Sequence, residues 1–330
     1  MRKSSQKRFE SLFFHNLAGG VFQLPQMDNK KSIAGIVGGV VVVTAFSVIV
    51  SLKGLSAGGK KKGHREPFSI QAITSAIPSD PRWSTRCEID LERILDQKFT
   101  YLTMGGQCYA FLSEDGRYVL KFLKQNNFSK KRFKNNAKIL RKRTRDFTSY
   151  KIAFDHLREE TGLLFIHLVA RDGFRKQASF IDSFNIVHCI ELGDFEFVLQ
   201  KFADPILSTM NAAMQEDREE EAKKIIDAVF SFFYKRLNKG IVDRDPAIAG
   251  NLGSTDGVVV QIDIGRFLMA TEPRQFKMEL KEFLKKNQFF STWLHNHYPD
   301  LEIYYKKQCS QLEKYYEARS IPKQPEKSGF

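Results

Sequence analysis

Cysteine and histidine are scarce in this sequence, and neither is arranged to bind a metal. The four cysteines include no Cys-x-x-Cys pair, and the seven histidines include no His-Glu-x-x-His motif. Isolated thiols in a chain of 330 residues are more typical of a reducing compartment than of a small disulfide-stabilised secreted domain. The sequence also lacks a recognised nucleic-acid-binding module, which disfavours nucleic acid as a partner.

Acidic residues are outnumbered, and the excess of basic residues is unevenly distributed. The chain has 52 Lys and Arg against 38 Asp and Glu, which gives a formal net charge of +14. Residues 130–145 read KKRFKNNAKILRKRTR and contain no acid. Such a segment indicates a site for an anionic lipid or a phosphorylated partner, or else a solvated basic face of a helix.

One long uncharged run lies near the N-terminus. Residues 33–52 read IAGIVGGVVVVTAFSVIVSL and, as a helix, are long enough to cross a hydrocarbon core about 30 Å thick. We therefore expect a transmembrane helix at 32–53, an N-terminal tail at 1–31 and a basic linker at 54–85. More lysine and arginine lie close after the run than close before it. This bias predicts a single-pass protein with its C-terminal domain in the cytoplasm.

Two glycines inside this run have the spacing found where membrane helices approach closely. Gly35 and Gly39 form a GxxxG pattern. The same spacing is common by chance in glycine-rich spans. A homodimer through the transmembrane helix is therefore a hypothesis.

The remaining chain has a β-rich part followed by a largely helical part. The segment 99–124, FTYLTMGGQCYAFLSEDGRYVLKFLK, predicts a three-stranded meander with Lys121 inside its third strand. A lysine among apolar neighbours needs a partner or an anionic ligand, unless it lies on an edge strand and faces water. We expect a two-lobed α+β fold, with a β-rich lobe at 86–202 and a short, mostly helical lobe at 203–330.

Further elements are predicted around the junction of these two parts. An apolar stripe indicates a helix that begins near residue 146. The segments 185–192 and 195–202 read as two strands that pair with each other. Residues 216–240 then predict a long helix, with acids in its first turns and bases in its last, and two more amphipathic helices follow.

The stretch Val242–Phe267, VDRDPAIAGNLGSTDGVVVQIDIGRF, carries the strongest functional signal. It places Asp245, Asn251 and Asp263 around a predicted hairpin, whose two strands bring their outer ends together. Phosphoryl transfer needs a backbone cover for the phosphates, a cation, metal ligands and a carboxylate that accepts a proton. Asp245 suits the role of base, and the oxygens of Asn251 and Asp263 suit Mg²⁺.

The predicted meander supplies the other two parts, namely a Gly-Gly turn as the cover and Lys121 as the cation. With this order of elements, the chain from Phe99 to Phe267 resembles the protein kinase-like superfamily, most nearly its atypical and small-molecule branches. Lys121 in Val-Leu-Lys-Phe resembles the lysine of that family's Val-Ala-Ile-Lys motif.

The match continues in the later stretch. Asp-Arg-Asp, ending at Asp245, resembles His-Arg-Asp, with Asp243 where histidine is usual. Asn251 matches the loop asparagine, and the Asp-Ile-Gly that begins at Asp263 resembles Asp-Phe-Gly. The resemblance implies ATP and Mg²⁺ as cofactors, Asp245 as the catalytic base, and Asn251 and Asp263 as metal ligands.

The resemblance also implies how the nucleotide is held. Lys121 would contact its α- and β-phosphates. The segment FVLQKFADP falls where the family's interlobe hinge lies, so the backbone near Gln200 and Phe202 is expected to receive the adenine. Three residues of the first turn are expected to cover the nucleotide: Gly105, Gly106 and Gln107.

Several features depart from the family's pattern. Five residues separate Asp245 from Asn251, where four are usual, and neither GxGxxG nor Ala-Pro-Glu is present. The short stretch after Phe267 favours a lipid, sugar or small-molecule acceptor, without excluding protein.

An ion-pair partner for Lys121 is expected among the acids near the end of the predicted helix. Glu159 is our prediction, because Leu163 and Ile166 follow it at inward-facing helical positions. Glu160 and Asp155 remain alternatives. The sequence thus predicts a membrane-anchored, ATP- and Mg²⁺-dependent phosphotransferase of unknown acceptor. The alternative is an inactive kinase-like protein that serves as a membrane-tethered scaffold or receptor.

Overall fold

The computed structural model describes residues 67–86, 89–128 and 136–320. The predicted transmembrane helix at 32–53 and its glycine contact lie outside the described residues, as does the first part of the linker, 54–66. The rest of the predicted linker packs against the domain, with Phe68, Ile73 and Trp83 buried. Within the described part, no helix is both long and apolar enough to cross a membrane. Three of the four cysteines fall in this part, and all three are free thiols.

The described residues form strands and helices with the following bounds. The strands are β1 Lys98–Met104, β2 Cys108–Ser113, β3 Tyr118–Leu123, β4 Leu163–His167, β5 Gln177–Ile181, β6 Val187–Glu191, β7 Phe197–Lys201, β8 Asp204–Pro205, β9 Ile241–Asp243, β10 Leu252–Thr255, β11 Val258–Gln261 and β12 Phe267–Met269. The helices are α1 Ile70–Ile73, α2 Leu91–Leu95, α3 Asn136–His156, α4 Arg158–Thr161, α5 Ile206–Gln215, α6 Glu219–Asn238, α7 Ile248–Asn251, α8 Arg274–Lys286, α9 Gln288–His297 and α10 Pro299–Arg319.

Seven strands form one mixed sheet, in the order β4-β7-β3-β2-β1-β5-β6. The predicted meander is confirmed, because β1 pairs with β2 and β2 with β3, both antiparallel. On one side β5 runs parallel to β1, and on the other β7 pairs with β3 and carries β4. The described part of the chain is therefore an α+β protein with a mixed sheet followed by a helical region.

The expected pairing of 185–192 with 195–202 is wrong. Both segments contain strands, β6 and β7, but these strands lie on opposite sides of the meander. Residues Leu192–Asp194 form a 3₁₀ turn that redirects the chain instead of closing a hairpin. The partner of β6 is β5, a strand that the sequence reading missed, and Asp182 stabilises the turn between them by accepting the backbone N–H of Ile186 at 3.0 Å.

The helix predicted near residue 146 is present as α3, and its apolar stripe is buried. The helix ends at His156, however, and Gly162 caps the short α4 in a left-handed conformation, with φ of +62°. Leu163 and Ile166, which were expected on a continuing helix, belong to β4 and pair with β7. Gly162 thus marks the change from helix to strand, since glycine adopts that backbone conformation without steric cost.

The predicted long helix is α6, and it anchors the helical region. It begins with three glutamates and ends with basic residues, which complements the helix dipole. Its apolar face packs in an aromatic-rich core with α8, α9 and α10. Near its end, the fully buried Arg236 pairs with Glu279 of α8 and donates to the Ile241 carbonyl at 3.0 Å. These bonds fix β9 against the helices.

Two small sheets position the stretch Val242–Phe267. The predicted hairpin is confirmed as β10 and β11, joined by the two-residue turn of Asp256 and Gly257. β9 pairs with β12, so Asp243 lies opposite Phe267. The backbone N–H of Phe267 also donates to Ser149 Oγ of α3 at 2.8 Å, which attaches this stretch to the helix that packs on the large sheet.

Candidate active site

A cleft of about 540 Å³ is lined by the meander on one side and by the stretch Val242–Phe267 on the other. Its volume lies within the range of small-molecule sites. The cleft brings together nine of the residues that the sequence singled out: Gly105, Gly106, Gln107, Lys121, Gln200, Phe202, Asp245, Asn251 and Asp263. Residues far apart along the chain are therefore within reach of one shared ligand.

The Gly-Gly turn is held in place by side chains that follow β3. Lys124 Nζ donates to the Gly105 carbonyl at 2.9 Å, and Asn127 Nδ2 donates to the Gly106 carbonyl at 2.8 Å. The Gly105 N–H donates to the Cys108 carbonyl at 3.0 Å, which closes the turn. The turn therefore keeps its shape through bonds within the protein.

Lys121 extends from β3 towards the segment that carries Asp263. Its Nζ donates to Gln200 Oε1 at 2.5 Å and to the Ile262 carbonyl at 2.6 Å. Gln200 is only 1% exposed, and its Nε2 donates to the Gln261 carbonyl at 3.0 Å. Gln261 and Ile262 directly precede Asp263, so Lys121 and Gln200 tie the large sheet to the strand end where Asp263 lies.

Gln107 reaches across the cleft to Gly265. The backbone of Gly265 has a φ of +146°, and a Cβ at this position would collide with the Gln107 amide. The third position of Asp-Ile-Gly therefore favours glycine because of its backbone conformation, whereas the Gln107 amide is the end of a flexible side chain that can shift. The contact brings the Gly-Gly turn and the Asp263 segment together at the cleft.

The loop that carries Asp245 is organised by Asp243. One carboxylate oxygen of Asp243 accepts the Asp245 N–H at 2.8 Å, and the other accepts Gln261 Nε2 at 2.7 Å. Gln261 Nε2 also donates to the Asp263 carbonyl at 3.1 Å. Burial raises the pKa of Asp243, an effect that the positive charge of Arg236 and these hydrogen bonds oppose. The aspartate in the histidine position thus links the proposed base to the proposed metal ligand.

Asn251 and Asp263 are neighbours, as the hairpin predicted. The Ile262 N–H donates to the Asn251 carbonyl at 2.7 Å. Asn251 Nδ2 donates to the Asp245 carbonyl at 2.6 Å, which leaves the amide oxygen as the atom suited to a metal. No cluster of three or more His, Cys, Asp or Glu is arranged for a metal within the described residues. Mg²⁺ often takes only one or two protein ligands and completes its shell with phosphates and water, so this donor set fits.

The expected adenine contact at Gln200 and Phe202 stays a prediction, but backbone N–H groups of this segment are already engaged. Both residues line the cleft, but the Phe202 N–H already donates to the Arg117 carbonyl at 2.8 Å. The Lys201 N–H donates to the Gly162 carbonyl at 2.8 Å, and the Gln200 side chain is engaged with Lys121. The backbone donors at this point are committed to the sheet, because β7 is paired on both sides.

The predicted pairing of Glu159 with Lys121 needs correction. Glu159 lies on α4 and lines a second cavity, of about 650 Å³, formed with β4, α6 and β11. The physical reason is the early end of α3, which turns the acids of 155–160 away from the meander. Glu160 pairs instead with Lys239 at 2.6 Å, and Asp155 pairs with a lysine one turn earlier in α3.

The cleft contains cations that the sequence reading did not single out. Lys142, Arg266 and Lys286 all contribute to its lining. Lys142 comes from the basic segment 130–145, and its Nζ pairs with the buried Asp146 at 2.6 Å. The excess of positive charge in that segment was visible in the sequence, but which of its lysines reaches the cleft depends on the rotation of α3.

Comparisons with known proteins give a limited result. No family model matches this chain, and no curated protein matches it. Among solved structures, the chain is similar to the bifunctional kinase-methyltransferase WbdD, with 16% sequence identity and a TM-score of 0.33. The match covers 68% of this chain and 45% of that one, so this chain spans less than half the length of WbdD. A likeness at this level carries no argument about activity.

Proposed function

We propose that this chain is an ATP- and Mg²⁺-dependent phosphotransferase. The observation that carries the proposal is the composition of the cleft, where Lys121, Asp245, Asn251 and Asp263 meet beside a Gly-Gly turn. These are the cation, base, metal-ligand and cover groups that phosphoryl transfer needs. Four such groups in one cleft of suitable size form a coherent set, whereas any one of them alone is common in proteins.

Each residue has a proposed role. When bound, ATP with Mg²⁺ supplies the phosphoryl group that passes to a hydroxyl of the acceptor, and ADP leaves. Asp245 accepts the proton of that hydroxyl, Asn251 and Asp263 hold the metal through oxygen, and Lys121 neutralises phosphate charge. Lys121 is preoriented for this role, because Gln200 and the Ile262 carbonyl fix its ammonium group.

We propose that the adenine binds one residue beyond the position expected from the hinge. Ala203 follows the committed amides of Lys201 and Phe202 and lines the cleft. We assign the adenine to the backbone of this residue and to the carbonyl groups beside it. A backbone site of this kind forms hydrogen bonds with the edge of the adenine and does not need a particular side chain.

The proposal is tested with the full-length chain in mild detergent. ATP with Mg²⁺ should raise the melting temperature of the wild type, and ATP should be turned over. Asp245→Asn should keep the stabilisation and lose the turnover, because the substitution removes the proton acceptor but preserves the shape of the side chain. Asp263→Ala should lose the Mg²⁺-dependent part of the stabilisation.

The outcomes distinguish an active phosphotransferase from an inactive scaffold or receptor, the two functions that the sequence predicts. Stabilisation by ATP without turnover in the wild type would favour an inactive scaffold or receptor. Absence of any stabilisation by ATP would refute a nucleotide-binding cleft altogether. Unchanged Mg²⁺ dependence in Asp263→Ala would refute the metal assignment alone.

We propose a membrane tether as a separate part of this function. It rests on the uncharged run at 33–52 and the basic residues that follow it. The full-length chain should sediment with membranes and resist extraction with alkaline carbonate. Its release by carbonate would contradict a transmembrane tether and leave the proposed chemistry untouched.

A further inference from the structure

The loop segment that follows the proposed base has no charged side chain. Between Asp245 and Asn251 the sequence reads Pro-Ala-Ile-Ala-Gly, without a charged side chain. In phosphoryl transfer a carboxylate base lies close to a phosphate group that is itself negative, so the site needs a positive charge there. Lys121 contacts Gln200 and the Ile262 carbonyl, on the side of the cleft formed by β3 and β7.

A lysine from α8 supplies a positive charge at this point. Lys286 Nζ lies 3.1 Å from Asp245 Oδ1, and both residues line the cleft. The two side chains are 40% and 35% exposed, so the pair contributes little to the stability of the fold. Because the pair lies at the cleft and includes the proposed base, its position favours a role in function over a role in stability.

The neighbouring residue explains how α8 holds this geometry. Asn287 is 2% exposed and accepts the Ile248 N–H through its Oδ1 at 2.7 Å. Its Nδ2 donates to the Pro246 carbonyl at 2.9 Å and to the Phe283 carbonyl at 2.9 Å. The end of α8 is thereby clamped to the loop just after Asp245. Lys286 is presented to Asp245 by a buried and fixed support.

We propose that Lys286 is a catalytic residue that binds the phosphoryl group during its transfer and orients Asp245 towards the acceptor hydroxyl. This inference deepens the proposed function and rests on it. In the transfer, a bond forms between the acceptor oxygen and phosphorus while the bond from phosphorus to the ADP oxygen breaks. The proton of the acceptor hydroxyl passes to Asp245, and ADP leaves with the electron pair of the broken bond.

The test compares nucleotides with and without the terminal phosphate. A non-hydrolysable ATP analogue and ADP, each with Mg²⁺, are titrated by calorimetry into the full-length wild type, Lys286→Met and Lys286→Arg. Lys286→Met should bind ADP as the wild type does and bind the ATP analogue roughly 10- to 100-fold more weakly, since one charge-assisted hydrogen bond is lost. Lys286→Arg should recover most of that loss.

Lys285→Met is the matched control, because Lys285 is exposed on the same helix and precedes Lys286 directly. It should match the wild type for both nucleotides. The KM for ATP should rise in Lys286→Met along with the weaker binding of the analogue, and kcat should also fall, because Lys286 no longer orients Asp245.

Two failures remain distinguishable. If ADP does not bind the wild type, the proposed function itself is wrong. If ADP binds and Lys286→Met keeps the wild-type preference for the ATP analogue over ADP, the role of Lys286 is overturned while the nucleotide site stands.

Discussion

The buried side chain of Gln200 offers a quantitative test of how the cleft is held together. Its Oε1 accepts a hydrogen bond from the Lys121 ammonium, and its Nε2 donates to the carbonyl groups of Thr161 and Gln261. Gln200→Leu keeps a similar volume and removes all three bonds. A bond to a charged group contributes about 1.5–3 kcal/mol and a neutral one about 0.5–1.5 kcal/mol. We expect the free energy of unfolding to fall by about 3–5 kcal/mol.

Urea unfolding of the full-length chain, followed by tryptophan fluorescence, measures this loss. Gln177→Leu is the control, because Gln177 is an exposed glutamine on β5 of the same sheet, and a surface change of this kind usually stays within about 0.5 kcal/mol. Stabilisation by ATP should also decrease in Gln200→Leu, since Lys121 loses its bond to Gln200. A loss of stability below about 1 kcal/mol would refute the view that Gln200 ties the sheet to the Asp263 segment.

Three further predictions concern burial and packing. Glu279→Gln should cost about 3–5 kcal/mol in urea unfolding, because Arg236 is left buried without its charge partner, whereas replacing both residues by leucine should recover most of the loss. Burial raises the pKa of Asp243 above its ordinary value of 3.8, so its contribution to stability is present below that pH and is lost as the pH rises through the raised pKa. The unfolding midpoint of the wild type should therefore fall relative to that of Asp243→Asn as the pH rises above the ordinary value of 3.8, and parallel pH profiles would contradict this. Gly193→Ala should destabilise the fold by about 1–3 kcal/mol, because a Cβ there would collide with the Phe174 carbonyl, and an unchanged melting temperature would show that this contact relaxes freely.

Local patterns in the sequence predicted the local parts of the fold. The meander around Lys121 and the hairpin after Asn251 depend on alternation of apolar residues and on short turns, both of which are legible within about ten residues. The long helix α6 was equally clear, because its terminal charges and its apolar face both indicate a helix over the same residues. These elements place Lys121 on a strand, with Asn251 directly before β10 and Asp263 shortly after β11.

Contacts between distant segments could not be predicted in the same way. The partner of β6 is β5 and not β7, and nothing in the pattern of either strand specifies which edge of the meander it joins. The end of α3 was missed because the Leu-Leu-Phe-Ile run that follows Gly162 fits the inward face of a helix as well as a buried strand. Because the helix was predicted to continue, Glu159 was expected to lie in the site. In the structure it lines the second cavity instead of the cleft.

The cations of the cleft show the same limit. Lys286 lies beyond the stretch Val242–Phe267 that carries the predicted site residues, and its sequence context indicates only an amphipathic helix. Its relation to Asp245 depends on the clamp that Asn287 forms with the loop, which is a contact between residues far apart in the sequence. A positive charge beside the base was a physical requirement, but only the fold identifies which residue meets it.

The way that Lys124 and Asn127 hold the Gly-Gly turn has a thermodynamic consequence. Glycine-rich loops are usually mobile until a ligand orders them, and that ordering opposes binding. Here two carbonyl groups of the turn are already bonded to the protein. The entropic cost of ordering the Gly-Gly turn is therefore part of folding. A phosphate chain that enters the cleft contacts a turn that is already ordered.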